Sequence, residues 1–355
     1  MNIVNYISSI NPYWCKYKIT TYNRNDFAFS KLWRILNIKF FNTCRIDIKF
    51  YKEKTLKLMK KIIISTGGTG GHVIPAQVLY DYLISENEII ITSDKRGSNF
   101  LNKKKYNTKQ IDVPKLKKNI IRFIPFLFAY TLSIVKSYFF LKKNKTKIII
   151  STGGYMSVPI CLAARILNLR IFLFEPNLVI GRANLFLLNY CEKILTYNKK
   201  IKNLPKEMGY KNFVLNPLIS KNIVSSKNKP KKKSKIFTIL IIGGSQGARS
   251  FDSLFNNDIV RLSRRFKIKI IHQTNKENIK SLKKFYYLEN IDSEVFSYSN
   301  KLYKKIQTCE FVITRSGAST INELVFLKAP FLAIPYPFAK DDHQFYNADY
   351  YVKKN

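Results

Sequence analysis

Glycine is scarce in this chain, 13 residues of 355, and none occurs before Gly67. Histidine is scarcer, with three. Acidic residues number 22 against 62 lysines and arginines, which leaves a formal charge of +40. The five cysteines (Cys15, Cys44, Cys161, Cys191, Cys309) are odd in number, widely spaced and without a Cys-x-x-Cys pair. That excludes a disulfide framework and fits a reducing, cytoplasmic setting. No Gly-Lys dipeptide occurs, so there is no P-loop. No His/Cys cluster of ligand spacing and no Asp-x-Asp pair occurs either, so no metal site is expected. The start, MNIVNYISSINPYW, lacks a basic segment leading into an apolar one, so no export signal is expected.

What is present is apolar. Hydrophobic residues make up 46% and aromatics 14%, enough for a packed core in each of two domains. The positive charge suits nucleic acid, an anionic membrane face or a phosphorylated substrate, or is spread over solvated faces of a lysine-rich chain.

Ten of the glycines fall in four groups: Gly67, Gly68, Gly70 and Gly71; Gly153 and Gly154; Gly243, Gly244 and Gly247; and Gly317. Each group follows a short apolar run, IIIST, IIIST again, TILII and FVITRS. Such continuous runs are strands buried on both faces, the signature of a parallel sheet. Strand, glycine turn, helix is the unit of a doubly wound α/β fold, whose ligands gather outside the carboxyl ends of the strands. The heptapeptide IIISTGG stands at 62–68 and again at 148–154, so two strand ends of one sheet are expected to face the same cleft. The polar, basic stretch 216–235, with Pro217 and Pro230, is expected to link two such domains, 59–215 and 236–355.

GGTGGH and GGSQGARS each set a string of backbone N–H groups at a helix start, where a phosphate or oxyanion is favoured. Neither is a full dinucleotide fingerprint, because Val73 stands where a third glycine is expected. An NAD- or nucleotide-binding oxidoreductase remains an alternative, with Asp94 at the end of EIIITSD holding a ribose. A basic nucleic-acid-binding protein is another, carried by residues 1–58, though it would leave the glycine turns idle.

Six segments in order, GGTGGHVIPA (67–76), STGGYMSVPICLAARIL (151–167), FEPN (174–177), GGSQGARS (243–250), TRSGASTINEL (314–324) and DDHQFYNA (341–348), resemble the MurG family over residues 59–355. Its members are UDP-N-acetylglucosamine transferases that convert lipid I to lipid II in peptidoglycan synthesis. The resemblance implies a GT-B fold, two Rossmann-like doubly wound parallel-sheet domains facing a cleft. It also implies inversion at the sugar's anomeric carbon, with no required cofactor and at most a secondary Mg²⁺ effect. The implied partners are UDP-GlcNAc, lipid I and an anionic membrane surface, not nucleic acid. The implied place is peripheral, on the cytoplasmic face of the bacterial inner membrane, with a part in cell shape and division.

The resemblance also assigns residues. His72 and Glu175 are rival candidates for the base. Donor binding falls to Thr69, Gly70, Gly71, Asn177, Gly243, Gly244, Ser245, Gln246, Gly247, Ser316, Gly317, Ala318, Ser319, Thr320, Glu323, Gln344 and Asn347, with Glu323 on the ribose and Gln344 and Asn347 reading sugar hydroxyls. Acceptor binding falls to Gly67, Gly68, Gly153, Gly154 and Tyr155. Two departures stand out. FEPN replaces the family's His-Glu-Gln-Asn, and Leu218, Ile219 and Ser220 follow Asn216-Pro217 where a phosphate-neutralising arginine is usual. Phosphate binding would then rely on the glycine turns, or on Arg249 or Arg315. Residues 1–58 are an extension outside the family, expected to be poorly ordered, and the second domain is expected to be shortened at its carboxyl end.

The run FIPFLFAYTLSIV (123–135) is 13 residues without a charge, short of the roughly 20 that span a bilayer. Lys117, Lys118, Arg122, Lys136, Lys142 and Lys143 flank it. A helix lying in the interface of an anionic membrane is expected, with a buried core helix as the alternative.

Overall fold

Alternation explains why IIIST is unbroken. In the first strand Ile62 and Ile64 enter one hydrophobic cluster while Ile63 enters the other, on the opposite face of the sheet. With both faces covered, neither has room for a polar side chain.

The structure is a computed structural model, which describes residues 60–114, 123–226, 236–244, 251–297, 299 and 301–353. The expectations for residues 1–58, for Lys117, Lys118 and Arg122, and for Ser245, Gln246, Gly247 and Arg249 lie outside them. The chain divides into two units between Lys221 and Asn222. The first contains β1 (Lys60–Ser65), α1 (Gly70–Leu83), β2 (Asn87–Ser93), α2 (Lys95–Ser98), β3 (Thr108–Gln110), α3 (Phe123–Lys143), β4 (Ile148–Ser151), α4 (Ser157–Ile166), β5 (Arg170–Glu175), α5 (Arg182–Leu187), β6 (Lys193–Thr196) and β7 (Asn212–Val214). Helix α6 (Lys221–Ser226) carries the division. The second unit contains β8 (Phe237–Ile242), α7 (Asn256–Ser263), β9 (Ile268–Gln273), α8 (Ile279–Leu288), β10 (Asp292–Phe296), α9 (Leu302–Thr308), β11 (Phe311–Thr314), α10 (Ala318–Phe326), β12 (Phe331–Ala333) and α11 (His343–Lys353).

Both sheets are parallel and doubly wound. The first has seven strands in the order β3-β2-β1-β4-β5-β6-β7, the second five in the order β10-β9-β8-β11-β12. The order reverses between β1 and β4, and again between β8 and β11. In such sheets the ligand crevice opens at that reversal, outside the carboxyl ends of the strands. All four glycine turns follow one of these four strands. The twin heptapeptides are direct neighbours in register, Ile62 beside Ile148, Ile63 beside Ile149, Ile64 beside Ile150 and Ser65 beside Ser151.

Two expectations are corrected here. The linker does not begin at 216, because Leu218 and Ile219 are buried in the first unit. The Leu218 amide donates to the Tyr197 hydroxyl at 3.0 Å, and the Tyr82 hydroxyl donates to the Ile219 carbonyl at 3.1 Å. The polar average of the stretch hid two apolar anchors. Ser226, by contrast, is held by the Gln307 side chain of the second unit. The uncharged run also proved to be part of a longer helix. α3 has 21 residues, and its stretch Ile124–Lys143 is long and apolar enough to cross a membrane by length and composition alone. Tyr130, Ile134, Tyr138 and Phe140 pack against the first unit's core, while Ile124, Phe128 and Phe139 are 78%, 74% and 63% exposed. The hydroxyls of Thr131, Ser133 and Ser137 donate to carbonyls one turn back.

Replacing Leu218 by Ala should destabilise the first unit by about 2 kcal/mol in urea unfolding, the low end for a buried leucine. A change below about 0.5 kcal/mol would return residues 216–221 to the linker.

Candidate functional site

At the first reversal point the two glycine turns are locked to each other and to the strand beside them. Asp94, buried just past β2, accepts the Gly68 amide at 2.9 Å and the Gly97 amide at 2.8 Å. A side chain at Gly67 would put its Cβ 2.8 Å from Asp94 Oδ1 and 2.9 Å from Met156 Cγ, so only glycine lets the turn lie against this carboxylate. Asp94 Oδ1 is therefore engaged by two backbone amides and caps α2.

Thr69 stands at the N-cap of α1, Gly70 and Gly71 begin the helix, and His72 is its third residue. The His72 ring lies on the second turn: His72 Cε1 and Nδ1 are each 3.1 Å from where a Cβ on Gly153 would be. Gly153 and Gly154 have φ of 91° and 86°, a region that L side chains avoid. The Nδ1 atom is 2.8 Å from the Thr152 carbonyl. A carbonyl only accepts, so Nδ1 carries the hydrogen and Nε2 of the neutral ring keeps its lone pair. Tyr155, next in the chain and 38% exposed, has its hydroxyl pKa raised, by desolvation first and then by Asp94.

Glu175 has another task than base. It is 2% exposed, and both oxygens are taken: Oε1 by the Asn177 amide and side chain at 3.2 and 2.9 Å, Oε2 by the Gly181 amide and Asn184 Nδ2 at 2.8 and 3.0 Å. A carboxylate with four donors holds the loop after β5 in shape and has little left for a substrate proton. Asn177 is correspondingly turned toward Glu175. Asn184, which no motif singled out, connects this loop to the glycine turns, 3.5 Å from the Cβ position of Gly153.

At the second unit's reversal point, Gly243 and Gly244 follow β8, and Gly244 has φ of 67°. Across from them Gly317 is the N-cap of α10 and supplies no side-chain cap. The first-turn amides of Ala318, Ser319 and Thr320 thus open outward at a helix start, with no intrahelical acceptor available to them. Ser316 is fully buried with its hydroxyl unpartnered among the described residues. Glu323, in the second turn of α10, is half-buried and its carboxylate makes no hydrogen bond among the described residues; desolvation pushes its carboxyl up to about 7. Gln344 accepts the Tyr336 amide through Oε1 at 3.0 Å. Asn347 is 3% exposed and donates to the Ser316 carbonyl at 3.1 Å, so it braces α11 against the α10 turn rather than presenting a free amide.

Arg315 does not replace the absent arginine. It is buried, its guanidinium lies 4.2 Å from the Phe251 ring centroid and 5.3 Å from that of Tyr336, and Nη1 donates to the Pro335 carbonyl at 3.0 Å. It fastens the segment after β12.

Comparison with known proteins follows the same division. Residues 62–196 match the glycosyltransferase family 28 N-terminal domain and residues 238–355 the family's C-terminal domain. A protein of Pelagibacter ubique named UDP-N-acetylglucosamine--N-acetylmuramyl-(pentapeptide) pyrophosphoryl-undecaprenol N-acetylglucosamine transferase is 48% identical over 83% of this chain and 82% of its own length. A Rickettsia felis protein of the same name is 34% identical over 82% of this chain and 83% of its own. The crystal structure of Acinetobacter baumannii MurG superposes with a TM-score of 0.63 at 22% identity, covering 82% of each chain, and supports the GT-B fold. With both of its domains matched and its motifs at both reversal points, the chain belongs to glycosyltransferase family 28, among the UDP-N-acetylglucosamine–N-acetylmuramyl-(pentapeptide) pyrophosphoryl-undecaprenol N-acetylglucosamine transferases.

Proposed function

We propose that this chain is an inverting hexosyltransferase that moves N-acetylglucosamine from UDP-N-acetylglucosamine to the C4 hydroxyl of the muramyl unit of undecaprenyl-linked lipid I, giving lipid II for peptidoglycan synthesis. The observation that carries the reading is the state of His72: its Nδ1 is engaged, its Nε2 makes no hydrogen bond among the described residues, and its ring lies on the glycine turn after β4 at a reversal point. The names of the relatives supply the donor and acceptor classes.

The chemistry is a single displacement. As the C4 oxygen bonds to the anomeric carbon, its proton passes to His72 Nε2, and the bond from that carbon to the UDP oxygen breaks. The leaving diphosphate needs donors. The Gly243–Gly244 turn and the first-turn amides of α10 are suited to it, with the helix dipole adding positive potential. Ionised Glu323 would accept both ribose hydroxyls, and the Gln344 side-chain amide remains for the sugar. Gly67, Gly68, Gly153, Gly154 and Tyr155 would hold the acceptor. No cofactor is needed, and Mg²⁺ would act at most on the diphosphate.

The exposed apolar side of α3 would rest in an anionic membrane surface, ringed by Lys136, Lys142 and Lys143. Because the other side of α3 packs on the first unit, the helix would lie along the interface rather than cross it. The enzyme would then sit peripherally on the cytoplasmic face of the inner membrane, and its product would serve wall growth, cell shape and division.

Turnover of lipid I by the His72→Ala variant should fall by roughly 10²–10⁴, the usual share of a general base. A loss of only a few-fold would remove His72 from the role. Glu323 gives a pH test with a definite sign. The ionised form binds the ribose, so UDP affinity measured by calorimetry should rise as pH passes upward through about 7 and level off above it. The Glu323→Gln variant should show only the ligand's own titration, and identical curves for both proteins would exclude the contact. Pelleting with anionic vesicles should drop when Phe128 and Phe139 are both replaced by Glu, and unchanged pelleting would move the membrane contact elsewhere.

A further inference from the structure

Thr152, between Ser151 and the second glycine turn, lies against His72 and is assigned no task by the resemblance. Its hydroxyl donates to the His72 carbonyl at 3.0 Å, with the Ser65 carbonyl as a longer second acceptor at 3.4 Å. Its own carbonyl receives His72 Nδ1 at 2.8 Å. The two residues are therefore joined twice, once through each residue's side chain to the other's backbone, across 80 residues of sequence. Thr152 is itself pinned, because its amide donates to the Ser65 carbonyl at 2.9 Å and continues the β1–β4 ladder by one rung. Thr152 is 1% exposed and cannot itself reach a substrate.

The heptapeptide repeat provides an internal comparison. Thr66 holds the same place after β1 that Thr152 holds after β4, and it is also buried, yet its hydroxyl has no partner among the described residues. Identical sequence, strand and burial thus leave one threonine bonded to the histidine-bearing turn and the other not. The difference is that α1 begins beside the β4 turn, and His72 reaches across to it.

We propose that Thr152 is a positioning residue for the transfer step: its reciprocal pair with His72 holds the imidazole in the Nδ1–H tautomer and aims the bare Nε2 at the acceptor hydroxyl. Which ring nitrogen carries the proton is set by the bond the other makes. The Thr152 carbonyl sets the tautomer, and the Thr152 hydroxyl keeps that carbonyl and the first turn of α1 in fixed relation. Loss of the hydroxyl leaves the carbonyl present but frees the turn to shift. This rests on the transferase reading above, and the test separates the two.

The experiment uses the full chain. The ¹⁵N signals of the His72 ring, assigned by difference from a His72→Asn sample, are recorded at alkaline pH beside steady-state turnover of lipid I with UDP-N-acetylglucosamine. In the unsubstituted protein Nδ1 should show the protonated-nitrogen shift and Nε2 the bare-nitrogen shift; the reverse pattern would overturn the proposal outright. In Thr152→Val, which keeps the branched shape, kcat should fall between roughly 10- and 100-fold. The KM for UDP-N-acetylglucosamine should not change, and an Nε2–H population should appear. Thr152→Ser, which restores the hydroxyl, should recover most of kcat and the original spectrum, and it serves as the readout should the valine variant not fold. If kcat and the ring signals of Thr152→Val match those of the unsubstituted protein, or if Ser fails to rescue, Thr152 has only a packing role. If His72→Ala itself turns over normally, the transferase assignment of His72 fails instead, whatever Thr152 does.

Discussion

The parallel hydrogen bonding of β1 to β4 is the constraint on which the first unit's site depends. Register places Ser65 beside Ser151, so both chains leave the sheet at the same height and turn on glycine within the same space. Slipping one strand by a residue would exchange its inward and outward faces, moving Ile63 into the wrong cluster and the turn out of reach of His72. The second unit repeats the device with β8 and β11, whose pairing brings Gly243–Gly244 beside Gly317. In both units the candidate site residues stand at a reversal of strand order, where two neighbouring strands send their connections to opposite faces and leave a crevice between them.

Within that frame, the number of donors around a carboxylate decides what it does. Asp94 receives two backbone amides and becomes a staple. Glu175 receives four donors and becomes the organiser of a loop. Glu323 receives none among the described residues, and the result is an acid whose ionisation falls near neutrality. A desolvated carboxylate without hydrogen-bond donors is unfavourable when ionised, and a ligand bearing two hydroxyls would relieve it. The same accounting applies to Arg315, whose guanidinium meets two carbonyls and two rings and braces the segment after β12.

Much of this was legible from residue order. Scarce glycine made each cluster informative, and every cluster does close a buried parallel strand. The doubled heptapeptide identified neighbouring strands, and the neighbourhood is literal. What could not be read was the occupancy of polar side chains. Nothing in FEPN reveals that Gly181 and Asn184, six and nine residues beyond Glu175, fold back to fill it. Asn347 was expected to read sugar hydroxyls, and nothing local showed its partner, the Ser316 carbonyl, which is 31 residues away. Averaged polarity likewise assigned Leu218 and Ile219 to a linker, although two apolar side chains suffice to dock a segment. Thr152 carried the one missed signal: it is the residue at which two identical segments acquire different surroundings.

The doubled heptapeptide also bears on how the chain folds. Identical sequence means that neither segment encodes its own slot, so β1 and β4 are interchangeable until their flanks engage. A chain that seated residues 148–154 in the place of 62–68, beside β2, would satisfy the same ladder and bury the same isoleucines. Only α1 and α4, with their different packing faces, break that degeneracy. The decisive step in assembling this sheet is therefore the docking of helices, not the pairing of strands, and a nascent chain is exposed to a topological isomer of itself until the second copy and α4 have both emerged.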